Sequence, residues 1–292
     1  LYHLQPSDIA LASNFRQAPS QPKFIRAAAK ERSVATTRKA KETRHSTHEH
    51  QRPLRIVPLH PAPRDAAAAA PKLTYRNGPL LTSVQVFAIY WGKAWQIAAN
   101  SPLATQMNNF FDFILTSKLL DQLSEYSVPG KSIGHGVRTG STNFITSEPG
   151  KSITDDTIQS MLQNEISSGA FPANTPNSLY FVFLPPGTQV EQGGSKSCQT
   201  FCGYHDATTS NIFYAVMPYP GCSGCEGGLA VPDALTSTSS HELCEAITDP
   251  VPGTGWYDDS NGEIGDICAW KTKTLGIYTV QLEWSNAANA CV

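Results

Sequence analysis

The sequence predicts an α/β fold in which a mixed β-sheet is flanked by helices and the C-terminal part is stapled by disulfides. Three observations carry that expectation. Apolar runs of strand length, rich in β-branched and aromatic residues, occur at 84–91, 178–184 and 211–217. Around them lie segments whose apolar residues recur every three or four positions, the period of a helix with one buried face. All seven cysteines (198, 202, 222, 225, 244, 268 and 291) fall after residue 197, which points to local stapling.

The elements follow in order from residue 80. The strand at 84–91 leads to Ser101 and Pro102, an N-cap and first-turn proline for a helix reaching residue 126. Met107, Phe110, Phe111, Ile114, Leu115 and Leu119 form its buried face. Residues 132–145, with glycines at 134, 136 and 140, read as extended, and a second amphipathic helix spans 154–168, capped by Ser152 or Thr154. Pro185, Pro186 and Gly187 end the strand at 178–184. The strand at 211–217 passes through a Gly- and Cys-rich connection into a helix at 233–248. Asp233 is its expected N-cap. Asp249-Pro250 stops it, because proline disfavours helical geometry in the residue before it. No internal repeat is present.

Composition separates a leader from a body. Residues 1–72 hold 13 Lys and Arg against 5 Asp and Glu, a net +8, and the remainder holds 9 against 19, a net −10. The leader has no Cys and little aromatic content, so it buries little core of its own. A basic arm for nucleic acid would show aromatic interleaving or a binding motif, and neither is there. The expected division is therefore a basic leader at 1–72, a propeptide that covers the acidic body, and a catalytic domain at 73–292. Phe24, Ile25, Leu54 and Ile56 would supply apolar docking, and the His45, His48 and His50 cluster a side chain to block the site. The longest apolar run, Val86 to Trp91, is far short of the ~20 residues that cross a bilayer. A chain beginning at Leu1 suggests a signal segment already removed. The cysteines are expected to pair as Cys198–Cys202, Cys222–Cys225 and Cys268–Cys291, with Cys244 free. A crossed pairing among the first four is the main rival, and a four-cysteine zinc site is a further alternative.

The chemistry concentrates on the last helix, which reads Ser240-His241-Glu242-Leu243-Cys244-Glu245. Residues four apart stand one turn above each other, so His241 and Glu245 converge on one ion as zinc ligands. Glu242, about 100° round the helix from His241, can act on a water beside that ion without ligating it. This is the logic of the His-Glu-x-x-His metallopeptidase helix with Glu in place of the second His. A third ligand is required, and Glu263 and Asp266 are the downstream pair for it. Asp258-Asp259-Ser260-Asn261-Gly262 reads as turn chemistry, with calcium binding as its alternative. Tyr257, Tyr204 and His205 are the candidates for an oxyanion donor, unranked. For His205 the ordinary alternative is a structural hydrogen bond beside Gly203 and Cys202.

His241-Glu242-x-x-Glu245, Thr248-Asp249-Pro250, Trp256-Tyr257 and Gly262-Glu263-Ile264-Gly265-Asp266-x-Cys268 together resemble a group of bacterial secreted zincin-like peptidases. Phe201-Cys202-Gly203-Tyr204-His205, Tyr214-Ala215 and Cys222-x-x-Cys225 look like the plant EXORDIUM, or phosphate-induced, extracellular proteins. The resemblance spans residue 84 to the C-terminus. It implies a secreted zincin-like sheet whose edge strand, beside the active-site helix, takes the substrate backbone by strand addition. By analogy with glutamate-ligand zincins, Glu263 is the ligand and Asp266 the residue orienting His241, the reverse assignment staying open. The plant proteins lack the His-Glu-x-x-Glu helix. Two functions follow: a zinc-dependent endopeptidase acting on peptide or protein substrates with Glu242 as general base, or a non-enzymatic extracellular module with a structural ion.

Overall fold

A computed structural model describes residues 57–58, 70–140 and 143–292. The elements that matter here are β1 (Gln85–Trp91), α1 (Ser101–Ile114), α2 (Lys118–Leu123), β2 (Val137–Arg138), β3 (Asn143–Ile145), α3 (Asp155–Ser167), β4 (Ser178–Phe183), β5 (Tyr204–Ala207), β6 (Phe213–Met217), α4 (Val231–Thr248), β7 (Thr272–Leu275) and β8 (Tyr278–Gln281). The central sheet runs β2, β1, β4, β6, β5, with β3 also on β1. Every pairing is parallel except that of β5 with β6. The mixed α/β sheet expected from the sequence is present.

Strand alternation divides the core into two layers. Val86, Ala88, Tyr90, Leu179, Phe181, Phe183, Ala215 and Met217 face α1, α2 and α4. Phe87, Ile89, Tyr180, Val182, Tyr214 and Val216 face Ile158 and Leu162 of α3. The parallel strands β1 and β4 are buried on both faces, hence their near-continuous apolar runs.

Three local expectations change. The single helix at 101–126 is broken after Ile114, where Ser117 turns extended, donates its hydroxyl to Ile114 O and caps α2 through Leu119 N at 3.2 Å. α4 starts earlier than expected, at Val231, because Pro232 occupies the first turn. Asp233 is therefore inside the helix and accepts from Thr279 Oγ1 at 2.9 Å rather than capping it. The strand beside α4 at 213–217 is an inner strand, and the antiparallel edge is β5.

Most of the leader, including Phe24, Ile25, Leu54, Ile56 and the histidines at 45, 48 and 50, lies outside the described residues. Among its described residues, Val57 and Pro58 are docked beside the strand that carries His205. Val57 N donates to Gly203 O at 3.0 Å, Cys202 N donates to Val57 O at 2.8 Å, and Pro58 forms an antiparallel bridge with Phe201. Val57 is buried and Trp270 Nε1 donates to Pro58 O at 2.8 Å.

The expected pairing of the first four cysteines is replaced by the crossed one, Cys198–Cys222 and Cys202–Cys225, while Cys268–Cys291 stands and Cys244 is free and buried. A tight turn, with Cys198 at φ 61°, presents the two loops side by side, so each sulfur meets the opposite loop rather than its sequence neighbour. The crossed bonds close loops of 24 and 23 residues, each restricting the unfolded chain by about 3 kcal/mol. Non-reducing peptide mapping should recover these three crosslinks, with Cys244 alkylated only after unfolding. Peptides linking 198 to 202 would contradict the fold at this point.

Candidate metal centre

α4 is buried on all sides from Ala234 to Thr248, lying between the sheet and the β7–β8 hairpin. Ser240 Oγ accepts from Gln281 N at 2.9 Å and Thr236 Oγ1 donates to Thr279 O at 2.7 Å, so the hairpin is tied to the helix by its small hydroxyl residues. A helix without a solvent face must give every polar side chain an internal partner. His241, Glu242 and Glu245, each at most 1% exposed, are therefore gathered with polar groups from two other elements.

The first of these is β5. Alternation along this strand sends the Tyr204 side chain toward α3, where its hydroxyl donates to Asp155 Oδ1 at 2.7 Å, and sends His205 toward α4. The second is the 262–268 loop, whose Gly265 passes so close to α4 that a Cβ would stand 2.8 Å from His241 Nδ1 and 2.9 Å from Glu245 Oε1. Gly203 makes a like approach on the strand side, where a Cβ would meet Glu242 Oε1 at 3.1 Å. Both glycines are needed for backbone to close over the cluster.

Two triads result, and they share Glu245. His241, Glu245 and Asp266 form one, and His205, Glu245 and Glu263 the other; in each, one ligand atom per residue lies within 4.8 Å of the other two. His241 Nε2 is 3.0 Å from Glu245 Oε1, yet neither ring nitrogen of His241 has a partner in hydrogen-bonding geometry. His205 Nδ1 is 3.1 Å from Glu242 Oε2 and 3.5 Å from Glu245 Oε2, while its Nε2 faces Asp249 O at 3.1 Å and Glu263 Oε1 at 3.5 Å. Glu242 Oε1 has no partner. Ligands about a tetrahedral zinc stand about 3.3 Å apart at bond lengths of about 2.0–2.1 Å, so donor atoms close together but not bonded to one another fit a cation between them. The imidazole and carboxylate donor set suits zinc.

Electrostatics point the same way. Burial opposes charging of His205, but Glu263, Glu242 and Glu245 outweigh it and hold its pKa well above the ordinary value. His241 behaves likewise, burial being outweighed by Glu245. Burial, aided by the Glu245 charge, pushes Asp266 up to about 7. Burial also raises Glu242 despite its bond from His205. Glu245 runs against its burial, held well below the carboxylate range by His241 and His205. Buried charges in such number are costly unless protons or a cation balance them.

The structure thus brings together His205, His241, Glu242, Glu245, Glu263 and Asp266 of the sequence-predicted residues. Two others it uses differently. Tyr204 is on the opposite face of the sheet, and Tyr257 pairs with Thr74 in a two-residue ladder with the Arg76 guanidinium 4.4 Å from its ring centre. Residues 258–262 form the turn expected from the sequence, in which Asp258 accepts from Ser260 N, Asn261 N and, through its other oxygen, Lys72 N. Sequence reasoning missed Glu283, fully buried with neither carboxylate oxygen partnered and charge-coupled to His241. Burial holds its pKa well above the usual range. Also missed was Asp249, which accepts from the backbone of Gly253, Thr254 and Gly255 and so fixes the turn behind His205.

No known family model matches the chain. It is 25% identical over 236 residues to Protein EXORDIUM-like 5 of Arabidopsis thaliana, a match covering 67% of this chain. That identity supports a distant relation to the EXORDIUM-like proteins. The chain spans 63% of the length of that relative. A solved structure titled "Structure of a chaperone-substrate complex" is matched at a TM-score of 0.31 and 14% identity, over 68% of this chain and 30% of that one, a level that carries no argument.

A pH dependence follows for the metal-free chain. Asp266, with a raised folded pKa, binds a proton that the unfolded chain releases between its ordinary value and about 7, so its contribution to stability falls as pH rises through that window. His205 and His241, also raised, lose theirs at higher pH still. Thermal melts of chelator-treated protein should therefore drop from about pH 5 to 8, and saturating zinc should remove the drop. A metal-free melting temperature that rises over that range would contradict the assignment.

Proposed function

We propose that this chain is a secreted zinc-dependent peptidase in which His241, Glu245 and Asp266 hold the metal and Glu242 is the general base. The observation that carries the reading is the relation of His241 to Glu245: both fully buried, one turn apart on the helix, with Nε2 and Oε1 3.0 Å apart and Asp266 grouped beside them. Asp266 takes the place of third ligand over Glu263 because it groups with this pair. Three disulfides are consistent with an oxidising compartment, and among the described residues no helix is long and apolar enough to cross a membrane.

When bound, zinc supplies Lewis-acid polarisation of a scissile carbonyl and a lowered pKa for water. The chain's own residues do the rest. His205 holds Glu242 Oε2 at 3.1 Å, which orients the carboxylate and leaves Oε1 to receive a proton from the attacking water. Its pKa, raised by burial, makes it a better base than an exposed carboxylate. The same proton is then available to the leaving amine. Asp249 O fixes the far nitrogen of His205 as the N–H donor, so the ring cannot turn away.

The depth of the cluster also suits the second reading, an extracellular module with a structural ion. The two differ in Glu242. Glu242→Gln should retain zinc and lose peptidase turnover by at least about 100-fold. Unchanged turnover would remove Glu242 from the mechanism, and a wild-type chain that holds zinc but cleaves no peptide would favour the structural ion.

The leader is proposed to restrain this site. Val57 and Pro58 pair antiparallel with 201–203, the backbone leading into the edge strand that carries His205, where an extended substrate would add. Charge alone would hold the leader weakly, since attraction is screened over about 8 Å at physiological salt. The backbone pairing and buried Val57 supply what charge does not. A shortened chain beginning at Ala70 should cleave a given peptide faster than the intact chain. Equal rates would return the leader to the status of a linker.

A further inference from the structure

The two triads share Glu245 through different atoms. Its Oε1 lies 3.0 Å from His241 Nε2, and its Oε2 lies 3.5 Å from His205 Nδ1. Beyond each imidazole stands one more carboxylate, Asp266 for His241 and Glu263 for His205. We propose that the centre is dinuclear: a second divalent cation is held by His205, Glu245 and Glu263, and the Glu245 carboxylate bridges it to the ion held by His241, Glu245 and Asp266. The proposal rests on the metal reading of the site and adds a second ligand set to it.

The tautomer of His205 supports this. Asp249 O can only accept, so the 3.1 Å contact puts the proton on Nε2. Nδ1 then faces two acceptors, Glu242 Oε2 at 3.1 Å and Glu245 Oε2 at 3.5 Å. A lone pair opposed by two carboxylates is repulsive unless a proton or a cation stands between them. The 3.5 Å from Nδ1 to Glu245 Oε2 is close to the ~3.3 Å that separates ligands about a tetrahedral ion.

Charge balance distinguishes one cation from two. Glu242, Glu245 and Glu263 are at most 1% exposed, and with Asp266 they bring four carboxylates to two imidazoles. One divalent ion leaves two of those negative charges buried without a counter-charge, a cost of several kcal/mol per ion. Two divalent ions neutralise all four. The unpartnered Glu242 Oε1, buried beside His205, belongs to neither ligand set and keeps its place as the base. Bridged pairs of this kind stand roughly 3.5–4 Å apart, a spacing that the two oxygens of one carboxylate can span.

The test is a metal count on the full disulfide-bonded chain, stripped with chelator and titrated with zinc chloride, with bound zinc measured after desalting. The wild type is expected to take two zinc ions, and His205→Asn and Glu263→Gln one each, with unchanged far-ultraviolet circular dichroism. X-ray absorption at the zinc edge should show a metal–metal distance of roughly 3.5–4 Å in the wild type that disappears in Glu263→Gln. Glu263→Gln keeps the shape of the side chain and stands in should His205→Asn fail to fold. One zinc at saturation in the wild type, or two retained in both variants, would overturn the second set while leaving the peptidase reading intact. No zinc in the wild type would overturn both.

Discussion

His205 meeting Glu242 and Glu245 inside the protein is the contact on which the rest of the arrangement depends. It joins the edge strand to a helix that has no solvent face, and it does so between ionisable groups at most 1% exposed. Removing one partner would leave an uncompensated buried charge, whose cost exceeds that of losing an ordinary hydrogen bond. The neighbouring features serve to keep this contact dry and aligned: Gly203 and Gly265 let backbone close over it, Asp249 anchors the outer nitrogen of the histidine, and Gln281 Nε2 holds the 262–268 loop through Gly265 O at 2.9 Å.

The fold positions the cluster from three directions. α3 braces the strand side, since Tyr204 and Tyr214 both donate to Asp155 at 2.7–2.9 Å through the opposite face of the sheet. The β7–β8 hairpin braces α4, and the Cys268–Cys291 disulfide fastens the end of the loop that carries Glu263 and Asp266. The crossed disulfides stiffen the turn that feeds β5 and pack with Val57 of the leader. Each brace acts on a different element that contributes to the cluster, so a site of this density does not rely on any one of them.

The distant EXORDIUM-like relation and the buried cluster of histidines and carboxylates bear on different parts of the problem. The first concerns ancestry over two thirds of the chain; the second concerns what six side chains can do together. A shared scaffold fixes neither activity nor substrate, because chemistry resides in the site. Here the site has two imidazoles, four carboxylates and an edge strand whose approach is already paired with the chain's own backbone.

By itself the sequence determined the helix bearing His241, Glu242 and Glu245 and strands at 84–91, 178–184 and 211–217, formed at 85–91, 178–183 and 213–217, because periodicity and i,i+4 spacing are local properties of the chain, and it singled out Glu263 and Asp266 as the downstream carboxylates for a third ligand. It could not determine which of those two carboxylates meets His241, since that depends on the path of a loop folded back by Gly265. β5 was illegible because four residues reading Tyr-His-Asp-Ala are too short and polar to signal a strand, and only pairing with β6 makes them one. Glu283 carries no motif; its role comes from burial beside His241. The cysteine pairing, the break after Ile114 and the docking of Val57 were likewise decided by contacts between segments distant in sequence, where the geometry of approach, not local composition, sets the energy.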